Sequence, residues 1–412
     1  MKILCVFGEH NYGNPDRGAG YEYTNFIPAL RRLGHDVVFF ESLDKSRYND
    51  FSDLNRQLLK SIEKNQPDLI FCVLMNYEIW IETLTMVKNS TDALIINWAT
   101  DDSWKYEQFS KIMAPFFDLY ATTYPEAVDK SLKHGYRNVV LTQWAANADN
   151  LNAPLPASDC RWDLSFVGMA YGNRTKWVSM LADRGIHVNC FGYGWENGVV
   201  EATSIPEIIR KSRISLNFGD SNWMLKGLWP YRSRQVKARV FEVPGYGGFL
   251  MTESAEHLEN FYEPDREIVL FNTIDDLAKK IRYYLDHPER RDKIAMAGHR
   301  RTRQTHTYDN RFEKLLRLAN DWKATRSPRG DRIGANQGID FSSFDRLERG
   351  HQKTTILKML KQAIIAPCNL IWGPNRGPRA ARRVLFELSW RLCGKKTYMA
   401  SGWPGRLFYK DS

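Results

Sequence analysis

Short apolar segments alternate with stretches of helical periodicity along the first 150 residues of the chain. One helical stretch repeats apolar residues every three or four positions, at Phe51, Leu54, Leu58 and Ile62. Strands separated by helices form parallel sheets, because each crossover helix returns the chain to the same end of the sheet. The pattern predicts one doubly wound α/β domain with strands at residues 2–7, 36–41, 68–74, 93–97, 119–121 and 139–141.

The alternation pauses over residues 148–162, a weakly periodic stretch that predicts a linker, and then begins again. The second series predicts strands at residues 163–168, 187–191, 214–217, 248–252 and 267–271. We therefore expect two Rossmann-like domains, residues 1–150 and 160–325. Ligands of doubly wound sheets bind outside the carboxyl ends of the strands, so we expect the two domains to face each other across a ligand-binding cleft.

The pattern changes after residue 325. Residues 325–350 contain Ser, Pro, Gly, Asp and Asn without periodicity and predict a second linker. Two amphipathic helices are predicted at residues 353–372 and 379–392, with apolar faces made of Ile356, Leu357, Leu360, Ile364, Ala381, Leu385, Leu388 and Leu392. Their Lys and Arg residues favour contact with an anionic membrane surface through residues 353–392. The alternative is that these helices pack on the enzyme or on a second subunit and leave their basic faces solvated.

Charge is concentrated in this basic, helical C-terminal extension, residues 326–412, which has 17 Lys/Arg and 6 Asp/Glu. Its net charge is +11 against +10 for the whole chain, so the first 325 residues are close to neutral. A nearly neutral body argues against an enzyme acting on nucleic acid. The six cysteines have no C-x-x-C spacing, which predicts neither disulfides nor a zinc site and favours the cytoplasm. The N-terminal apolar run is too short for a signal peptide, and no segment has the roughly 20 apolar residues that span a bilayer.

A glycine-dense turn is the most informative local motif. Residues 239–252 read RVFEVPGYGGFLMT, the end of a helix, a turn and a short strand. Arg239 and Glu242 are three residues apart and share a helix face, so a guanidinium and a carboxylate lie side by side. Such a pair suits a nucleotide diphosphate, because the cation meets phosphate oxygens and the carboxylate accepts from ribose hydroxyls. The alternative is a structural ion pair followed by a C-cap glycine cluster.

Further motifs follow this turn in a fixed order: a strand and a helix, then HPERR at 287–291, AGHR at 297–300 and THTYDNRF at 305–312. Upstream lie GAGYEYT at 18–24, ALRRLGHDV at 29–37, WATDDSW at 98–104 and QWAAN at 143–147. Over roughly its first three quarters the chain resembles the CgeB-like glycosyltransferases. The resemblance implies the GT-B fold, in which the first domain binds the acceptor and the second binds the sugar nucleotide.

The same resemblance implies a donor site at the glycine turn. Its expected members are Arg174, Lys237, Arg239, Glu242, Gly245, Gly247 and Gly248. The arginines would stabilise the diphosphate and the glycines would let the backbone approach the ligand. Lys237 is two residues from Arg239 and is not expected to point the same way. Tyr193 and Trp195 are weaker candidates for stacking on a base or sugar. The donor is a substrate, a UDP-, GDP- or dTDP-sugar, and no cofactor or metal is expected.

The residue that acts on the acceptor is sought in the first domain. Asp101 and Asp102 follow the strand at 93–97 and are candidates for the base, for acceptor binding, for a helix N-cap or for a metal-binding pair. His10, in the loop after the first strand, is a rival base, and Glu22 is a third. His287, His299 and His306 show no metal-like spacing and are interpreted as structural.

The sequence therefore predicts a cytoplasmic, metal-independent glycosyltransferase that moves a sugar to a glycan, a lipid-linked saccharide or a protein. One alternative is a sugar-nucleotide epimerase of the same fold. Another is a non-catalytic protein whose basic extension recruits partners, membrane or nucleic acid.

Overall fold

The computed structural model describes residues 1–226, 229–325, 338–351 and 355–411. Side chains are not described for residues 220–226, 229–233, 355, 356, 358 and 411. The described chain forms two compact units. The first consists of residues 1–142 and 315–412, and the second of residues 143–314.

The first unit is built on a six-stranded parallel sheet in the order β2-β1-β3-β4-β5-β6. Its strands are β1 Lys2–Phe7, β2 Asp36–Glu41, β3 Leu69–Cys72, β4 Leu94–Ala99, β5 Leu119–Thr122 and β6 Val139–Leu141. Its helices up to this point are α1 Tyr21–Arg32, α2 Phe51–Asn65, α3 Ile81–Ser90, α4 Asp102–Lys105, α5 Lys111–Met113 and α6 Pro125–Lys133. A π-helical turn, Tyr106–Ser110, joins α4 to α5. Strands β3 and β4 are buried along their whole length, which explains why they are apolar at nearly every position.

The second unit has a five-stranded parallel sheet in the order β13-β12-β9-β7-β8. Its strands are β7 Trp162–Val167, β8 Asn189–Phe191, β9 Ser212–Asn217, β12 Leu250–Glu253 and β13 Val269–Phe271. An antiparallel pair, β10 Asp220–Lys226 and β11 Trp229–Arg234, follows β9 and was not predicted from the sequence. The helices are α7 Arg174–Ala182, α8 Ile205–Arg210, α9 Arg239–Gly245, α10 Ile274–Asp286 and α11 Pro288–Thr305.

Both sheets confirm the predicted doubly wound α/β fold. In each of them the chain adds its second strand on one side of the first and then returns to add the remaining strands on the other side. The strand order thus reverses between β1 and β3 in the first sheet and between β7 and β9 in the second. Reversal points of this kind open a crevice at the carboxyl ends of the strands, where ligands of such sheets bind.

The C-terminal helices belong to the first unit rather than standing apart from it. They are α12 Tyr308–Thr325, which passes from the second unit to the first, α13 Phe341–His351, α14 Thr355–Trp372, α15 Gly377–Cys393 and α16 Trp403–Leu407. The residues after α16 return to α2, where the rings of Phe51 and Tyr409 meet edge to face at 4.8 Å.

The predicted linker at 325–350 is wrong for its last ten residues, which lie in α13. Asp340 begins this helix by accepting from the backbone N–H groups of Ser342 and Ser343. Phe344 is fully buried and stacks on Trp80 with ring centroids 5.8 Å apart. The N-cap at Asp340 and the burial of Phe344 therefore stabilise a helix in a segment whose polar composition predicted a linker. Residues 326–337 of the predicted linker lie outside the described chain.

The predicted linker at 148–162 is tied to the body of the second unit by Arg291, whose side chain is completely buried. Its Nη1 donates to the carbonyl of Leu155 at 2.8 Å, and its Nε donates to the carbonyl of Arg213 at 2.7 Å. The guanidinium therefore links the carbonyl of Leu155, in this segment, to that of Arg213, in β9, which holds the irregular segment in place.

Candidate functional site

In the second unit, Arg239 and Glu242 lie at the reversal point of the sheet. Arg239 is the first residue of α9, and its Nε donates to the carbonyl of Val167, the last residue of β7, at 3.1 Å. Its Nη1 donates to Oε2 of Glu242. The Glu242 side chain is only 4% exposed, whereas 24% of the Arg239 side chain reaches the surface. The predicted side-by-side pair is therefore formed at the carboxyl end of a central strand, with its cation outermost.

The three glycines of the turn are packed against protein, and their role in letting the backbone approach a ligand stays a prediction. A Cβ on Gly245 would lie 2.7 Å from that of Ala146, and one on Gly248 would lie 2.6 Å from Cγ2 of Ile209. Gly247 has a φ of +86°, where other residues are strained. The N–H groups of Gly247 and Gly248 already donate to the carbonyls of Pro244 and Val243. These glycines make a tight turn after α9.

Arg174 and Lys237 are held by neighbours in the same region. Arg174 begins α7 and is almost fully buried; its Nη1 donates to the carbonyl of Met169 at 2.9 Å, and its guanidinium lies 4.0 Å from the ring centre of Tyr171. Lys237 is partly buried and donates to Oε1 of Gln235 at 3.0 Å. Arg174 follows β7, as predicted, and stands at the same edge of the sheet as Arg239.

A second ion pair at this edge was not predicted. Glu253, the last residue of β12, is buried and accepts from Nε of Arg234 at 3.0 Å and from the N–H of Gly219 at 3.1 Å. Glu253 follows the predicted strand 248–252 directly, and its position at a strand end was the available signal. Arg234 ends a strand that the sequence pattern did not reveal. Among the described side chains, this edge holds three guanidinium groups, those of Arg174, Arg234 and Arg239.

The aromatic candidates in the loop after β8 differ from each other. Trp195 packs edge to face on Phe166 and donates its Nε1–H to the carbonyl of Gly168 at 2.8 Å, so it stabilises the loop. Tyr193 is mostly exposed, and its carbonyl accepts from the N–H of Ala170. Of the two, only Tyr193 presents its ring to solvent.

In the first unit, the side chain of Asp102 is buried. Its Oδ1 accepts from Oγ of Ser110, which is also 2.7 Å from the hydroxyl of Tyr120. Burial raises the pKa of the Asp102 carboxyl, and the hydrogen bonds from Ser110 and Thr122 oppose that rise. The residue therefore anchors α4 to the π-helical turn and to β5. Its role in catalysis stays a prediction.

Asp101 has a different environment from its neighbour. It lies in the N-cap position of α4, but its side chain makes no capping hydrogen bond, so the proposed N-cap role is not realised. Its negative charge reaches Glu22, in the first turn of α1. Burial, and to a lesser degree the charge of Asp101, raise the pKa of the Glu22 carboxyl. Two of the predicted base candidates therefore form a carboxylate pair at the carboxyl edge of this sheet.

Lys105 is a member of this cluster that was not predicted. Its Nζ donates to the carbonyl of Met75, in the loop after β3, at 2.8 Å. Burial lowers the pKa of this ammonium, while the charges of Asp101 and Glu78 act in the opposite direction. The partly buried ammonium of Lys105 therefore lies in the electrostatic field of Asp101 and Glu78.

His10 lies in the loop after β1, as predicted. Its backbone pairs with Ala19 across the loop. Its Nδ1 is buried and has no hydrogen-bond partner among the residues that the structure describes. An unsatisfied buried nitrogen is uncommon and leaves His10 as a rival candidate at the same edge.

The other three histidines bond to backbone carbonyls, as a structural role requires. His287 faces the carbonyl of Tyr283, His299 those of Pro244 and Gly245, and His306 that of Phe261. Burial and the charge of Arg311 lower the pKa of His306 to about 4. Across the described parts of the chain, no cluster of three His, Cys, Asp or Glu residues is arranged to hold a metal ion.

Two of the separated sequence motifs meet in the second unit. The N–H of Ala146 donates to the carbonyl of His306 at 2.9 Å, and the N–H of Tyr308 donates to the carbonyl of Ala146 at 3.0 Å. Arg311 donates to the carbonyls of Gln143 and Trp144. The QWAAN and THTYDNRF segments are therefore one structural element, located where the chain enters and leaves this unit.

Comparisons with known proteins agree with this architecture. A family model described as glycosyl transferase-like matches residues 174–317. The spore protein CgeB of Bacillus subtilis is 21% identical over 276 residues, which cover 62% of this chain and 84% of CgeB.

Solved structures match over most of the chain. A sucrose-phosphate synthase from Thermosynechococcus elongatus aligns with a TM-score of 0.56 at 10% identity, over 79% of this chain and all of that one. A glycosyltransferase from Rickettsia africae gives 0.54 at 12% identity, over 79% of this chain and 99% of that one. Anabaena HepE in complex with UDP-glucose gives 0.53 at 11% identity, over 78% of this chain and all of that one. These likenesses show the GT-B fold, and the two sequence matches support the resemblance to the CgeB-like glycosyltransferases that the motifs indicated.

Proposed function

We propose that this enzyme transfers a sugar from a nucleotide-sugar donor bound by the second unit to an acceptor bound by the first. The acceptor class is a glycan, a lipid-linked saccharide or a protein. The observation that carries the proposal is the Arg239–Glu242 pair at the end of β7, because its guanidinium is partly exposed at the point where doubly wound sheets bind ligands. Anabaena HepE, which shares the fold, forms a complex with UDP-glucose, and we propose a UDP-sugar ahead of GDP- and dTDP-sugars.

The donor step follows from the charges at this edge. Arg239, with Arg174 and Arg234 nearby, would stabilise the negative charge that grows on the leaving diphosphate. Glu242 would accept from the ribose hydroxyls once Arg239 turns toward phosphate. Lys237, which donates to Gln235, would add to the positive field without contacting the donor directly. With cations of this number at the edge, we propose that the reaction needs no metal.

The acceptor step uses the carboxylate pair of the first unit. An acceptor oxygen forms a bond to the anomeric carbon, the bond from that carbon to the diphosphate oxygen breaks, and the acceptor's proton passes to a carboxylate. We propose Asp101 as that carboxylate ahead of Glu22, because the raised pKa of the Glu22 carboxyl makes Glu22 hold its proton more readily. His10 is the competing base.

We place this chemistry in the cytoplasm, with peripheral contact to the inner face of the membrane through residues 353–392. A peripheral position would bring a soluble sugar nucleotide and a membrane-linked acceptor to the same enzyme. The basic C-terminal helices support this location, since nine Lys/Arg and one Glu fall in residues 355–396.

The proposal is tested by a turnover assay on the full chain. Purified protein is given UDP-, GDP- and dTDP-sugars with and without a bacterial glycan and lipid extract, in EDTA and in added Mg²⁺. Release of nucleoside diphosphate that depends on the extract, with the sugar recovered in the extract, is the expected result in both buffers. Release of free sugar or an epimer in the absence of extract would contradict transfer, and activity restricted to Mg²⁺ would contradict metal independence.

A further inference from the structure

The α14–α15 hairpin has an inner side that packs and an outer side that does not. Its inner residues form a small core with α16, made of Ile365, Cys368, Ala381, Leu385, Leu407 and Phe408. On the other side of α15, Phe386 reaches Tyr77 with ring centroids 5.7 Å apart. The hairpin is therefore fixed on the first unit, and its position does not depend on the faces that remain exposed.

The predicted apolar faces of α14 and α15 are wider than the faces that pack on the enzyme. In α14, Leu357 and Ile364 pack inward, while Leu360 is exposed. In α15, Ala381 and Leu385 are buried, whereas Leu388 and Leu392 are exposed. Lys353 lies outside the described residues, and the side chains of Ile356 and Lys358 are not described. The helices thus carry more apolar surface than their packing on the enzyme consumes.

The outer face of α14 is almost entirely apolar. Met359, Ala363, Ala366 and Leu370 are exposed at spacings of four, three and four, which places them on one helix face. Among the α14 residues whose exposure is described, Gln362 is the only exposed polar one. At its end, Leu370 is 89% exposed, Ile371 69% and Trp372 47%. Three consecutive large apolar side chains on an otherwise solvated surface indicate an interaction site.

Cations follow these residues immediately. Arg376 and Arg379, at the start of α15, are exposed, and so is Arg383 one turn later. Within the described chain, no carboxylate forms an ion pair with any of these three arginines. Arg391 differs, because it pairs with Glu387. We define the hairpin tip as residues 370–383, an apolar cluster joined to a set of unneutralised guanidinium groups.

We propose that this hairpin tip docks the enzyme on an anionic phospholipid surface, with Leu370, Ile371 and Trp372 in the interfacial region and the arginines on lipid phosphates. This inference rests on the peripheral membrane contact proposed above and names the surface that makes it. A lipid interface offers both an apolar phase and negative charge, which matches both halves of the tip. Nucleic acid offers phosphates but no phase for aliphatic side chains.

The helix lies on the bilayer and does not cross it. No helix in the described part of the chain is both long enough and apolar enough to span a membrane. The 18 residues of α14 extend roughly 27 Å at 1.5 Å per residue, and one face is already used by the α15 and α16 core. A helix with one packed face and one apolar outer face suits shallow insertion parallel to the surface.

The test is vesicle co-sedimentation of the full chain with phosphatidylcholine alone and with 30% phosphatidylglycerol. An apolar variant combines Leu370→Ser, Ile371→Ser and Trp372→Ser; its matched control combines Leu132→Ser and Leu141→Ser, two exposed positions elsewhere on the same unit. A charge variant combines Arg376→Gln, Arg379→Gln and Arg383→Gln; its control combines Lys64→Gln, Lys133→Gln and Arg137→Gln, all exposed. Every substituted side chain in these four variants is exposed, so each variant should keep the native fold.

We expect the native chain to bind the anionic vesicles and not the neutral ones. The charge variant should bind on the order of 100-fold more weakly, at about fivefold per arginine, and the apolar variant at least 10-fold more weakly. Native-like binding by either tip variant, or equal binding to neutral vesicles, would overturn the proposal. A dimer of the native chain that the apolar variant loses, without loss of vesicle binding, would instead assign the tip to self-association. Thermal stabilisation by sugar nucleotides is measured on the same proteins, so that loss of docking alone is distinguished from failure of the donor proposal.

Discussion

The two units each present charged side chains at the carboxyl edge of a parallel sheet, but they arrange them in opposite ways. In the second unit, Glu242 and Glu253 are buried against arginines. In the first, Asp101 and Glu22 place two carboxylates near each other. Opposite charges neutralise one another and hold a geometry, whereas like charges and burial shift protonation. The buried ion pairs of the second unit suit binding of a fixed anion, and the neighbouring carboxylates of the first unit suit proton transfer.

The largest expected effect concerns the like-charged pair. Asp101→Asn should lower kcat by about 10² to 10⁴-fold, because an amide does not accept the proton of the acceptor. The melting temperature should stay unchanged, since the Asp101 side chain does not cap α4. Glu107→Gln, at an exposed ion pair with Lys111, is the control and should retain full activity. If the Asp101→Asn variant stays active and the His10→Gln variant loses activity, the base is His10 and not Asp101.

The opposite-charged pair should govern stability. Arg239→Ala leaves the Glu242 carboxylate buried without its cation, which should lower the free energy of unfolding by about 3–5 kcal/mol in urea denaturation. The double change Arg239→Met with Glu242→Leu removes both charges and should recover most of this loss.

The control for this experiment is the exposed pair between Arg184 and Asp275, whose atoms are 2.8 Å apart. Arg184→Ala should cost less than about 1 kcal/mol, because solvent screens the remaining charge. Equal losses from Arg239→Ala and Arg184→Ala would show that the Arg239–Glu242 pair, with its buried carboxylate, has no special electrostatic role.

The pH dependence of stability should reflect His306, because burial and the charge of Arg311 disfavour the protonated form of its imidazole. Its pKa is about 4 in the folded protein and 6.5 as the reference value. Between these values the unfolded chain binds more protons, so stability is fully present above pH 6.5 and falls by up to about 3 kcal/mol as the pH approaches 4. The His306→Gln variant lacks this pH-dependent part of the free energy of unfolding. Its free energy of unfolding should therefore approach that of the native chain as the pH falls toward 4. Parallel stability curves for His306→Gln and the native chain would contradict the account.

The glycine turn should give the smallest of these effects. Gly245→Ala introduces a methyl group 2.7 Å from that of Ala146 and should cost roughly 1–3 kcal/mol of stability through overpacking. Donor affinity of the folded protein should not change, because the glycine faces protein and not ligand. Gly350→Ala, where the surroundings are open, is the control and should be nearly neutral. A selective loss of donor affinity in Gly245→Ala would restore the glycine to the binding site.

The fold was predictable because buried parallel strands are short, apolar and separated by periodic helices. The antiparallel pair β10–β11 lacks that signal, and α13 was missed because a cap and one aromatic ring defined a helix in a polar stretch. At the site, sequence spacing found the Arg239–Glu242 pair, since residues three apart on a helix are neighbours. The pairing of Asp101 with Glu22 and of Arg234 with Glu253 depends on strand order, which local spacing does not contain. The burial of Asp102 and the close packing around the glycines were not predicted, because burial is a property of the folded unit.

The most direct test of the central claim is thermal stabilisation of the full chain by a panel of sugar nucleotides. At 100 times its dissociation constant, a bound donor adds about 2.7 kcal/mol, which should raise the melting temperature of the native chain by several degrees. Glu242→Gln keeps the shape of the side chain and should lose most of this shift, whereas Glu207→Gln, at an exposed pair with Lys211, should keep it. A native chain that no sugar nucleotide stabilises, or a Glu242→Gln variant that responds like the native chain, would contradict the donor site at Arg239 and Glu242.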